Sequence, residues 1–117
     1  MRASENEFGD DGAARIAGGL LKSSSIKVCH LSNCKIAAKS AVMLAEVIRK
    51  DKAPMKDLDI SNNLIIMDDI EILANSFKES FMDVLNIRGN IVSAEEIVAF
   101  EALLATVSTM SKRKFVF

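Results

Sequence analysis

The chain has 117 residues, and 15 basic against 16 acidic side chains leave a formal charge of −1. That balance excludes a dedicated nucleic-acid binder or a polyanionic tail, both of which need a strong surplus of one sign. Half of the residues are hydrophobic, yet only six are aromatic, all of them Phe, so the expected core is aliphatic.

The first seven residues include Glu5 and Glu7 and no apolar run, which argues against a secretory signal or an organellar transit peptide. The first recognisable pattern is Asn6, Phe8, Gly9, Gly12, Ala13, Ile16 and Leu20, which returns 28 residues later from Cys34 onward. A fuller version begins at Ile26 and contains Cys29, Leu31, Cys34 and Ile36. At an offset of 29 the same places hold Met55, Leu58, Ile60, Asn63 and Ile65, and 27 residues further on they hold Met82, Leu85, Ile87, Asn90 and Val92. Self-similarity at such a period marks a repeat architecture. One domain over residues 1–117 is expected: a partial repeat at 5–25, repeats at 26–54, 55–81 and 82–109, and a C-terminal cap or strand at 110–117.

Within each unit the period changes. Cys29-x-Leu31, Leu58-x-Ile60 and Leu85-x-Ile87 alternate, which predicts a half-buried strand. Ala41, Leu44, Ala45 and Ile48 then follow helical spacing, as do Ile70, Leu73, Ala74 and Phe77, and Ile97, Phe100, Glu101 and Leu104. Ser93 and Glu96 form a capping box for the last helix, and Pro54 falls in a helix-to-strand connection. Helices pack about 10 Å apart and strands about 4.8 Å apart, so parallel stacking of such units gives a curved α/β solenoid. Its strands line a concave face and its helices a convex one. Asn6, Cys34, Asn63 and Asn90 close the strand segments, where their side chains can satisfy backbone groups in the turn.

Leu58-x-Ile60-x-x-Asn63-x-Ile65 and Asn6-x-Phe8-Gly9-Asp10-x-Gly12-Ala13 resemble leucine-rich repeats of the ribonuclease-inhibitor type, across about residues 5 to 107. The resemblance implies a horseshoe segment of about 3.5 repeats and a non-catalytic role in binding another protein, as a scaffold or subunit. It also covers proteins that activate the small GTPase Ran and the tropomodulins, which cap actin filaments; no residue here matches a motif specific to either. The fold is a scaffold for many partners, so it leaves the partner open. Exposed repeat ends are a pairing liability, so the chain is expected to be a fragment, to self-associate, or to have its ends covered by a partner.

By alternation the strand residues facing away from the core are Val28, His30 and Ser32; Asp57, Asp59 and Ser61; and Val84, Asn86 and Arg88. This grid, with its acidic centre, is the expected partner-binding surface. No metal is expected, because Cys29 and Cys34 belong to the inward face while His30, the sole histidine, points outward. Neither a phosphate-binding glycine loop nor a catalytic grouping is present, so no enzyme activity, cofactor or small-molecule substrate is expected. Asp68-Asp69 and Glu95-Glu96 are read as acids at helix starts. Lys112, Arg113 and Lys114 are read as a solubilising terminal strand rather than a short phosphate or lipid contact. The longest apolar stretch, Ile97 to Met110, contains Glu101 and falls short of the roughly 18 residues that cross a bilayer, so no membrane insertion is expected. Two cysteines make no disulfide framework, and reduced thiols in the cytoplasm, nucleus or an organellar matrix are expected.

Overall fold

The alternating segments are strands, and the described segments of helical period, through Ala41–Ile48 and Ile70–Phe77, are helices. The computed structural model describes residues 2–6, 8–23, 25–49, 55–80, 82–91, 93, 95–96 and 114–116. In chain order these give α1 (Gly9–Lys22), β1 (Val28–His30), α2 (Ala38–Arg49), β2 (Asp57–Asp59), α3 (Met67–Lys78), β3 (Val84–Asn86) and β4 (Lys114–Val116). Pro54, Lys112, Arg113 and the helical stripe Ile97, Phe100, Glu101 and Leu104 lie outside the described residues.

The four strands form one sheet in sequence order, every pair parallel. Val28 pairs with Asp57 and Asp57 with Val84, so the sheet register reproduces the sequence offsets of 29 and 27. Backbone bonds carry the ladder past the strand ends, from Leu31 N to Asp59 O (2.7 Å) and from Asn33 N to Ser61 O (3.1 Å). Lys114–Val116 adds the far strand beside β3, and Arg2 bridges to His30 at the near edge. Ala3 N and Glu5 N donate to His30 O and Ser32 O at 2.9 and 2.8 Å. Thus the edge of β1 is covered by residues 2–5.

Burial follows the two periods. Cys29, Leu31, Leu58, Ile60, Leu85 and Ile87 are buried behind the sheet, and Ile36 and Ile65 continue this layer through the turns. Ala13, Ala17 and Leu20 of α1, Ala41, Leu44, Ala45 and Ile48 of α2, and Ile70, Leu73, Ala74 and Phe77 of α3 meet them in one continuous core. Helix α1 packs on α2 and α2 on α3. Phe8, equivalent to the fully buried Ile36 and Ile65, is instead 38% exposed, because it sits on the outer side of the described stack.

β1, β2 and β3, and the N-terminal segment bridged to β1, each leave the sheet through a residue with left-handed backbone: Asn33 (φ 55°), Asn62 (54°), Gly89 (78°) and Glu5 (63°). These positions are equivalent in the repeat, and Asn and Gly tolerate such a conformation best. At Gly89 the requirement is double, since a Cβ there would overlap the Asn62 Oδ1 of the preceding turn.

Gly89→Ala is therefore expected to lower stability by about 1–3 kcal/mol in urea denaturation. Adding Asn62→Gly should return only part of the loss, because the left-handed backbone cost stays. Full return, or no loss in the single variant, would contradict the assignment.

Candidate interaction face of the sheet

Parallel register sets the outward side chains in rows. Val28, Asp57 and Val84 form the first, and His30, Asp59 and Asn86 the second. Ser32, Ser61 and Arg88 follow at the strand exits. His30 Nε2 lies 3.7 Å from Asp57 Oδ1, and the two side chains are 29% and 38% exposed, so both remain open to a partner. Val28 and Arg88 are exposed, while Ser32, Asp59, Val84 and Asn86 are half-buried.

One expectation about this grid needs correction. Ser61 is buried, because its hydroxyl (2.6 Å) and N–H (2.9 Å) both donate to Asp59 Oδ1. Asp59 consequently has a local structural task besides any contact. Asn86 Oδ1 accepts from Arg88 N at 3.1 Å in the same way, and Ser4 Oγ accepts from Ser32 N at 3.0 Å. Asp57, paired only loosely with His30, is the less committed carboxylate of the face.

The turn residues form a second ladder behind this face. Asn63 Oδ1 accepts from Cys34 N (2.8 Å) and Ile36 N (3.0 Å), while its amide donates to Leu31 O, Ile60 O and Ser61 O. One buried side chain thereby satisfies backbone groups of two units. Asn90 repeats the device, donating to Ile60 O and Ile87 O and accepting from Ile65 N. Cys34 donates through sulfur to Ala3 O and Ser32 O, both at 3.4 Å. Among the described residues Asn6 bonds only to the nearby Ala3 O and Ser4 O, and it is exposed.

Helix starts hold two acids in opposite situations. Helix α2 has no acid in its first turn, and Asp10 of α1 reaches across to cap it. Its carboxylate accepts from Ala37 N (3.0 Å), Lys39 N (3.0 Å) and Ser40 N (2.9 Å), and Ser40 Oγ returns a bond to Asp10 O at 2.6 Å. Burial alone would raise the Asp10 carboxyl, but the hydrogen bonds from Ser40, Ala37 and Lys39 outweigh it and hold it below the ordinary carboxylate range. In α3 the place of Ser40 is taken by Asp69, which is 8% exposed and whose Oδ2 has no partner. Burial, together with the charges of Asp68 and Asp10, raises its carboxyl. Asp69 is thus more than the solvated helix-start acid its sequence position suggests. The Ser93–Glu96 capping box is formed, with reciprocal bonds of 3.0 and 3.2 Å.

No three His, Cys, Asp or Glu side chains converge as metal ligands among the described residues. Both cysteines are buried, and burial pushes the Cys29 thiol up to about 11, which makes it a packing group rather than a nucleophile. No described helix is long and apolar enough to cross a membrane. The cap made by Asp10 left no mark in sequence beyond its acid, since helix-to-helix packing brings its partners within reach. The exposed side chains of Leu64, Ile66 and Ile91 stand where other units of the repeat carry Lys35, Ala37 and Ser93, a mismatch that the sequence itself carries.

Compared with family models and with curated proteins, the sequence gives no match. Among solved structures the chain is similar to leiomodin-1 actin-binding site 2, with a TM-score of 0.74 and 16% identity, over 99% of this chain and 70% of that one. At that identity the likeness speaks for the fold: a small α/β unit of leucine-rich-repeat-like form.

Asn63→Ala should cost about 3 kcal/mol or more, since it strands several buried backbone groups, whereas Asn6→Ala should cost under about 1 kcal/mol. Equal losses in denaturant titrations would refute the ladder. The two acids should titrate with opposite signs. Stability from Asp10 is complete above the ordinary carboxylate range and is lost as pH falls through its lowered pKa, so Asp10→Asn should be weaker at pH 7, with a gap that closes below about pH 4. For Asp69 the stabilising state is the protonated one, lost as pH rises through its raised pKa. Asp69→Ser, copying position 40, should exceed wild type by about 1 kcal/mol at pH 7 and converge with it in acid.

Proposed function

We propose that the chain is a segment of a leucine-rich-repeat solenoid, about 3.5 repeats long, that binds another protein without catalysis. Its place would be an intracellular assembly, where it acts as a scaffold or subunit. The observation that carries this reading is the acidic centre of the sheet face. Asp57 stands open beside His30 on a backbone fixed by parallel pairing on both sides. Functional side chains on rigid elements bind with little ordering cost, and an open carboxylate suits a basic or polar partner patch.

A second reading, actin-filament capping, is favoured by one specific observation: a similar solved structure, leiomodin-1 actin-binding site 2, is an actin-binding site. The Ran GTPase-activating alternative has no comparable observation behind it.

The tests separate the readings. Immobilised chain should retain a discrete set of proteins from its native source, and Asp57→Lys with Asp59→Asn should release them while circular dichroism stays unchanged. Retention that survives both substitutions would refute the face. Slowed elongation at filament ends in a pyrene-actin assay would select the capping reading, and unchanged elongation would remove it.

A further inference from the structure

Where the strands run on into the helices, the chain carries an apolar ribbon outside the core. Leu64 is 46% exposed, Ile66 48% and Ile91 54%. These residues are not scattered. Ile66 and Ile91 face each other in a parallel bridge, and Ile91 N donates to Ile65 O at 2.9 Å. Residues paired in a parallel ladder point to the same side, and Leu64 joins Ile66 there by alternation around the buried Ile65.

The repeat shows that packing does not ask for these side chains. Lys35 occupies the place of Leu64 and Ile91 in the preceding unit. Ala37 and Ser93 occupy the place of Ile66. The fold accepts a charge, a methyl group or a hydroxyl where this ribbon has three large aliphatics, and clustered exposure of that kind marks an interaction surface.

Exposed acids follow the ribbon closely in sequence: Asp68 and Glu71 after Ile66, and Glu95 and Glu96 after Ile91. The exposed bases Lys35 and Arg88 belong to the turn segments after β1 and β3. Four exposed acids against two exposed bases leave this border net negative, which favours a basic partner and repels an anionic membrane surface. Two extended residues separate Leu64 from Ile66 by about 6.6 Å, close to the rise of about 6 Å between helix positions i and i+4. We propose that this ribbon is a docking site for a basic amphipathic helix of a partner protein, distinct from the sheet face. The partner's aliphatic stripe lies along Leu64, Ile66 and Ile91, and its lysines or arginines meet Asp68, Glu71 and Glu95.

The full chain, labelled at Ile and Leu methyl groups, is titrated by NMR with a 14-residue Leu/Lys peptide of helical amphipathic pattern. A shuffled peptide of the same composition serves as control. The expected result is saturable shifts at Leu64, Ile66 and Ile91 with the patterned peptide only. Ile66→Ser and Ile91→Ser should each weaken binding about tenfold, the loss expected for one buried aliphatic, while the melting temperature stays near wild type. Asp57→Lys should leave this binding unchanged, which separates it from the sheet face. Equal response to both peptides, shifts confined to the sheet face, or unchanged binding in both Ser variants would overturn the proposal. So would concentration-dependent dimerisation abolished by Ile66→Ser, or binding to phosphatidylserine vesicles abolished by it.

Discussion

A strand of three residues cannot bury its own aliphatic side chains or satisfy its own turn, so each unit here depends on its neighbours. Asn63 is the point where that dependence is most concentrated. It sits in one unit, accepts hydrogen bonds from two backbone N–H groups of the preceding one, and donates to carbonyls of both. An unpaired buried backbone group costs about 1–3 kcal/mol, so a turn lacking such a side chain would open. Leu58 and Ile60 lie between their equivalents on either side, and the left-handed turn residues keep the strand exits in step.

The same neighbour-to-neighbour logic runs through the helix starts. Asp10 supplies to α2 the cap that its own first turn lacks, and Ser40 answers with a hydroxyl bond to Asp10 O. At the equivalent place in α3 a carboxylate replaces the hydroxyl and one oxygen is left unpartnered. The stack tolerates this exception because the helix N-terminus favours negative charge, which offsets part of the desolvation.

Much of the architecture was legible in the sequence because two periods and near-constant offsets encode it directly. The inward residues Cys29, Leu58 and Leu85, the helix stripes of α2 and α3, and the turn roles of Asn63 and Asn90 all follow from spacing. Less legible were features decided by partners distant in sequence. Ser61 alternates outward yet is buried, because Asp59 takes both its donors. Asn6 matches the turn pattern yet is exposed, since only the bonds to its own strand segment form. Phe8 matches a core position yet is partly in solvent at the outer side of the stack. At the candidate site, alternation placed Asp57 and His30 correctly on the outward face, but their 3.7 Å approach depends on cross-strand register, which only the fold supplies.

Neighbouring units hold each other in place through the shared core and the turn ladder. Native-state hydrogen exchange tests that most directly. The amides of Cys34 and Ile36, held by Asn63 of the next unit, should exchange with the same opening free energy as those of Leu58 and Leu85, set by global unfolding. If Cys34 and Ile36 instead exchanged through a separate, much smaller opening while Leu58 and Leu85 stayed protected, the units would be independent and the central claim would fail.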